Sequence, residues 1–388
     1  MNRANYDELI QRIRALPAYP ASLYEGLRRF AVLPAPSGCE KARCAWAGEA
    51  LAAEGVGAVR IDRAGNLIIP FGSGDGPVSV FMAHSDVVFP DTDCLPWRED
   101  ETYIYCPGIG DNDVHAAAIA AAAVFLTRQG IRPEKGTLLL VINSGEEGLG
   151  NLKGAREIAR AYRGRIREMV TFDSVIPTVI NRAVGSRRWR IEVSTVGGHS
   201  YTAFGNPNAI EKLAALIEKL YRQALPSEGV TTYNVGLIEG GTSVNTIAQN
   251  ASMLYECRSD NGASLDRMTA QLEALIREEE RAGDAVWQLS LIGERPCMGD
   301  VDAEAMADLT ARAASAVRQW YGEEPSYTAG STDANVFLAA GIPSVCVGCC
   351  RGEGTHTREE KVRKDSLLPG LQLALAMILD SVRRLDEV

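Results

Sequence analysis

The sequence predicts an α/β protein: a mostly parallel sheet flanked by helices, interrupted by an inserted ferredoxin-like α+β domain. Three observations predict it. The first third of the chain alternates strand and helix patterns, the arrangement that favours a mostly parallel sheet covered on both faces. The middle third changes to half-buried strands of period two in the order β-α-β-β-α-β. After about residue 297 the helix and strand patterns of the first third resume. At 388 residues the chain is also too long for one ordinary core. These readings assign 1–183 and 298–388 to the larger domain and 184–297 to the insertion.

Each element has its own signal. Ser37, with Glu40 three residues later, reads as a capping box opening a helix that runs to Ala52. Short strands follow at 59–61 and 66–70, then the apolar run 78–83. Residues 115–129 read as a helix, 137–142 (TLLLVI) as a buried strand, 151–162 as a helix and 169–172 as a strand. In the insertion, Trp189, Ile191 and Val193 alternate with polar residues. A helix over 208–223 places Ile210, Leu213, Leu216, Ile217 and Leu220 at helical spacing. Strands at 231–238 and 251–258 precede a second helix, 264–281, with Leu265, Met268, Leu272, Leu275 and Ile276 on one face. Trp287, Leu289 and Leu291 mark the last strand, and 344–347 is an apolar strand back in the larger domain.

Composition narrows the function. Hydrophobic residues make up 46% and charged residues 23%, the profile of a globular chain rather than a disordered or fibrous one. The net charge of −10 argues against general affinity for nucleic acid or an anionic membrane. The longest apolar stretch, 116–126, is mostly alanine and short of a membrane span. The N-terminal MNRANYDELI carries acids and lacks an apolar leader core. Nine scattered cysteines do not resemble a disulfide framework, and Cys346, Cys349 and Cys350 read as buried thiols at a strand end. A cytoplasmic protein is expected.

The chemistry gathers around the histidines, of which there are only four: His84, His115, His199 and His356. His84 opens His84-Ser85-Asp86 directly after a strand. Residues two apart share a face of extended chain, so Asp86 can hold the ring nitrogen that His84 does not offer to a metal. Further acids stand at strand ends or in glycine-rich loops: Asp111 and Asp113 before the alanine-rich helix, Glu146 and Glu147 after TLLLVIN, and Asp173 after MVTF. His356 follows SVCV. In parallel sheets, ligands bind beyond the carboxyl ends of the strands. A mixed N/O donor set of this kind suits zinc, with manganese or cobalt as alternatives. Of the two adjacent glutamates, one can bind metal while the other takes and returns a water proton.

The motifs HSD, PGIGDN, SGEEGLG, FDS, GGHS, GGTSVNTIA, ECRS, GSTDANVFLAAGIP and GTHTREEKV resemble, in order, those of the M20 family of dinuclear zinc peptidases and deacylases. The stretch 145–154 is most similar to the peptidase T-like, tripeptidase branch. The resemblance implies a zinc-exopeptidase-like catalytic domain with an inserted lid and dimerisation domain. It implies that two divalent ions are held, one by His84 and Asp173, the other by Glu147 and His356, with Asp111 shared. It implies a cis peptide at Asp111–Asn112, Asp86 orienting His84, and Glu146 as general base. It further implies that His199 serves the neighbouring subunit of a homodimer as an oxyanion stabiliser. Asn245 and Arg258 match substrate-contacting positions, and the planar fork of Arg258 suits a terminal carboxylate.

One departure stands out. Where many members have Asp-Asp-Lys-Gly, this chain has Asp111-Asn112-Asp113-Val114, followed by His115. Asp113 reads as a helix cap and His115 as a surface residue of the helix start. Ser331, in Gly330-Ser331-Thr332-Asp333, reads as part of a capping loop and not as a nucleophile. The expected activity is metal-dependent hydrolysis of short peptides by an aminopeptidase or tripeptidase. The alternative is an N-acyl amino acid deacylase, metallocarboxypeptidase or dipeptidase on the same centre. A binding protein on a dead hydrolase fold would have lost ligands or base, and none is missing here.

Overall fold

The computed structural model describes residues 3–387; the expected domain ends at 1 and 388 lie outside them. Two compact units divide the chain: Met1–Ala183 with Gly299–Val388, and Val184–Met298.

The first unit is built on an eight-stranded sheet. Across it the strands run Arg60–Ile61, Leu67–Gly72, Thr137–Asn143, Val78–His84, Ile166–Phe172, Ser344–Val347, Thr178–Ala183 and Ser326–Gly330. The four central strands from Thr137–Asn143 to Ser344–Val347 are parallel. The pair of Ser326–Gly330 with Thr178–Ala183 is parallel too, and the other three pairs are antiparallel. Every residue of Val78–His84 and of Thr137–Asn143 is buried. A strand buried on both faces needs no alternation, which is why both are largely apolar with no period of two. Helices Val114–Gln129 and Leu367–Glu387 pack against each other and against these strands. The segments that contain them, Ile109–Gln129 and Lys364–Glu387, are long and apolar enough by composition to cross a bilayer, but most of each is buried inside the fold, as core helices are. Gly130, in the left-handed region, ends the first of them.

The second unit is an antiparallel four-stranded sheet in the order Thr231–Gly240, Asn250–Ser259, Gly185–Ser194, Val286–Arg295. With helices Ala209–Arg222 and Gly262–Ala282 between strands, this is the ferredoxin-like order. The helix side chains Leu213, Leu216, Leu220, Leu265, Met268, Leu272 and Ile276 form one core with Trp189, Ile191, Val193, Met253 and Tyr255 of the sheet. Asn208 and Asn261 cap the two helices, accepting from the amides of Ile210 and Ser264, both at 2.9 Å. Leu291, which alternates with Trp287 and Leu289, is exposed; the register with Gly185–Ser194 slips directly after it, between Leu291 and Gly293.

One local expectation fails. The helix near residue 40 spans Lys41–Ala53 with no side-chain cap, so Ser37 and Glu40 form no capping box. Ser37 Oγ is drawn instead to Asp86, and Glu40 accepts from the Gly38 amide and from Lys153.

Candidate metal centre

Parallel strands bring their carboxyl ends to one edge, and the acids and histidines stand there. His84 ends the strand Val78–His84, and Glu146 and Glu147 lie just past Thr137–Asn143. Asp173 directly follows Ile166–Phe172, and His356 lies beyond Ser344–Val347, in the loop joining the short paired strands Gly352–Glu353 and Lys361–Arg363. Asp111 sits on the turn leading into helix Val114–Gln129. The peptide bond between Asp111 and Asn112 is cis, as the family resemblance implied. Gly108 opens this turn in the left-handed region, where a Cβ would lie 2.4 Å from Val87 Cγ1.

Asp111 is the centre of the arrangement. Its Oδ1 lies 2.9 Å from His84 Nε2 and its Oδ2 lies 3.1 Å from His356 Nε2. His84 Nε2 is 3.9 Å from Asp173 Oδ2, and His356 Nε2 is 3.0 Å from Glu147 Oε1. Two donor groups therefore share one carboxylate: His84, Asp111 and Asp173, and Asp111, Glu147 and His356, the atoms of each lying within 4.8 Å of one another. Donors bound to one zinc at about 2.0–2.1 Å in a tetrahedron lie roughly 3.3 Å apart. The spacing and the N/O chemistry fit divalent cations. A third group, His84 with Glu146 and Glu147, meets the same 4.8 Å criterion; distance alone leaves Glu146 open to ligation, and mutation has to separate the roles.

Two buried carboxylates hold these loops. Asp86 accepts the amides of Glu146 (3.0 Å) and Glu147 (2.9 Å) and the Ser37 hydroxyl (2.6 Å). The Asp86 carbonyl stands 3.0 Å from His84 Nδ1, with its Oδ1 at 3.5 Å, so the ring presents Nε2 to Asp111. Glu360 accepts the amides of Gly108 (2.8 Å), Gly110 (2.9 Å) and Asp111 (2.9 Å), fixing the turn that carries Asp111. Sequence assigned Glu360 no role, and Ser37 only that of a helix cap.

The electrostatics follow from crowding. Burial, then the negative charge of Asp111, pushes the Asp173 carboxyl up to about 7. Hydrogen bonds to Asp111 and Glu147 raise His356 to about 10. Burial disfavours charge on His84, but its bonds to Asp111 and Asp86 more than offset this and raise it. Burial likewise opposes the charge on Asp86, yet His84 and Ser37 bring it down to about 2. Protons on these histidines and on Asp173 are what a divalent cation displaces on binding.

The departure from the common motif resolves differently from expectation. Asp113 occupies the helix N-cap position but its side chain caps nothing; it pairs with the fully buried Arg43 at 2.5 Å. His115 is fully buried, not a surface residue, and its Nε2 accepts the Cys349 amide at 3.0 Å. In the loop before the short helix Ala334–Ala339, which holds Ser331, Thr332 Oγ1 accepts the Ala334 amide at 3.2 Å. Cys346, Cys349 and Cys350 are buried free thiols, as expected.

The other expected residues lie in the second unit. His199 sits in the short ladder Gly198–His199 against Thr246–Ile247. Its Nδ1 accepts from the amides of Tyr201 and Thr202, and the neighbouring Asn245 carbonyl accepts the Ser200 amide. His199 and Asn245 thus share one exposed corner. Arg258 is on strand Asn250–Ser259, where Glu256 takes its Nε (2.7 Å) and Nη2 (3.2 Å).

Residues 289–380 match peptidase family M20/M25/M40, and residues 181–284 match the peptidase dimerisation domain of M20 enzymes. Residues 66–220 also match peptidase family M28. The chain is 25% identical to the uncharacterised protein YqjE of Bacillus subtilis (strain 168), over 82% of its own length and 85% of YqjE. It is 28% identical to acetylornithine deacetylase of Myxococcus xanthus, over 74% and 76%. Among solved structures it resembles aminopeptidase PepT from Bacillus cereus (TM-score 0.70, 22% identity, 92% and 97% covered). It also resembles a tripeptidase from Staphylococcus aureus (0.72, 22%, 93% and 98%). A third likeness is to YXEP of Bacillus subtilis, a dinuclear metal-binding M20 peptidase (0.63, 16%, 93% and 98%).

Proposed function

Because the chain belongs to the M20 family of metallopeptidases, we propose that it hydrolyses short peptides as an aminopeptidase or tripeptidase, using two divalent ions. Zinc is the metal the donors suit best. His84 and Asp173 would hold one ion and Glu147 and His356 the other, with Asp111 available to both. The observation that carries this reading is the Asp111 carboxylate, whose two oxygens face two different histidines at 2.9 and 3.1 Å. When bound, the ions supply the positive charge that polarises an amide carbonyl and makes water more acidic.

The chain's own residues do the rest. Glu146, fixed through its amide to Asp86, takes a proton from water and returns it to the departing amine. Asp86 keeps His84 in the tautomer that presents Nε2. His199, in a dimer formed through the Val184–Met298 unit, stabilises the developing oxyanion on the partner subunit. Asn245 and Arg258 bind the substrate; Arg258 meets a terminal carboxylate in competition with Glu256. Nine free thiols agree with a cytoplasmic setting.

Deacylation of N-acyl amino acids is the second reading, favoured by the 28% identity to acetylornithine deacetylase. A free-amine tripeptide and its N-acetylated twin, assayed side by side with zinc or manganese, separate the two. Cleavage of the free-amine form alone supports the peptidase, and release of acetate from the twin overturns it. Glu146→Gln is expected to abolish turnover with metal content intact. Loss of metal together with activity would make Glu146 a ligand.

A further inference from the structure

Arg43 is a fully buried guanidinium in helix Lys41–Ala53 that the proposed chemistry does not use. Its Nε donates to the Leu33 carbonyl at 2.7 Å and its Nη2 to the Ala31 carbonyl at 3.0 Å. Its Nη1 donates both to the Ser85 carbonyl at 2.9 Å and to Asp113 Oδ1 at 2.5 Å. The ring of Phe30 lies against the guanidinium, 4.9 Å from its carbon. A guanidinium taken out of water at this depth is costly, and apolar side chains would fill the space without that penalty. What the charge supplies is geometry, because a planar fork bonded to four acceptors fixes them relative to one another.

Two of those acceptors flank the metal centre. Ser85 lies between His84 and Asp86, and its own amide and hydroxyl both bond the Asn143 carbonyl at 2.8 Å. Asp113 is two residues beyond Asp111, and its amide bonds the Gly108 carbonyl at 3.0 Å, closing the turn that presents Asp111. One nitrogen, Arg43 Nη1, therefore ties the strand end carrying His84 to the loop carrying Asp111. We propose that Arg43 and Asp113 are a positioning pair that sets the spacing of His84 against Asp111 and so the affinity of the site for divalent cations. The proposal rests on the metal-centre reading above.

The test is manganese binding by titration calorimetry on the chelator-stripped full chain. It uses Asp113→Ala and Arg43→Lys, at a temperature where circular dichroism shows each variant folded. Asp113→Asn, which keeps the volume and an acceptor oxygen, stands in if the alanine variant does not fold. Glu168→Gln is the control: it disturbs a buried ion pair about 16 Å from Asp173, near the other end of strand Ile166–Phe172. Each positioning variant is expected to weaken manganese binding by about tenfold to a hundredfold. The control, although less stable, is expected to bind like the wild type. Peptide turnover should show kcat falling with metal affinity and KM little changed. Positioning variants that bind manganese as tightly as wild type would overturn the proposal, and so would a control that weakens binding equally. A wild-type chain that binds no metal would instead sink the metal-centre reading.

Discussion

Glu359 and Glu360 are adjacent and chemically identical, yet one is exposed and pairs with Arg98 while the other is buried and holds three amides. A signal for this was available: Glu360 shares a face with Val362 at a period of two, and Val362 is fully buried. Glu360→Gln places an amide NH₂ where only acceptors fit, so a stability loss of about 1–3 kcal/mol is expected, with reduced kcat. Urea unfolding checks the first, and an unchanged midpoint would mean that the three bonds contribute little. His115 was similarly misjudged. Ala118, Ile119 and Ala122 lie three, four and seven residues on, all buried, so His115 stands in a buried stripe. The seven converging residues from His84 to His356 were legible because histidine and clustered acids at strand ends have few structural uses. Arg43 was not, because a lone arginine in a helix usually faces solvent.

At the level of elements, hydrophobic period found the sheets and the long helices, and it lost detail where side chains take tertiary partners. Ser37 is the example: its sequence context fits a cap, but the helix begins only at Lys41, and the Ser37 hydroxyl donates instead to Asp86, 49 residues away. Strand Ile166–Phe172 carries a second, structural ion cluster at its other end. There Glu168 accepts from Arg312, from Ser381 Oγ at 2.6 Å and from Ser79 Oγ at 3.2 Å. Burial opposes its charge, but Arg312 and Ser381 outweigh burial and hold its carboxyl below the ordinary 4.5. A carboxyl lowered on folding adds stability above its unfolded value, and that stability is lost as pH falls through the folded one. Glu168→Gln is therefore expected to cost about 2–4 kcal/mol near pH 7. The gap to wild type should close below about pH 4.5. A gap that is constant with pH would assign the loss to packing.

At the scale of the whole molecule, a metal-bearing unit is combined with a ferredoxin-like unit that matches the dimerisation domain of M20 peptidases. The outer strand Thr231–Gly240 leaves Leu237 and Ile238 exposed at the sheet edge, a surface suited to pairing with another copy. If His199 acts across the dimer, inactive His199→Ala and Arg258→Ala chains, once mixed, should regain about a quarter of wild-type activity, as random exchange of two subunits dictates. No recovery despite confirmed exchange would place His199 in its own subunit's chemistry. The central claim is that Asp111 is shared by two cations, and metal stoichiometry tests it most directly. The stripped chain, titrated with manganese while tripeptide cleavage is followed, should bind two ions per chain. Asp111→Ala should lose both together with activity. Full turnover with one ion or none, or two ions retained by Asp111→Ala, would contradict the account.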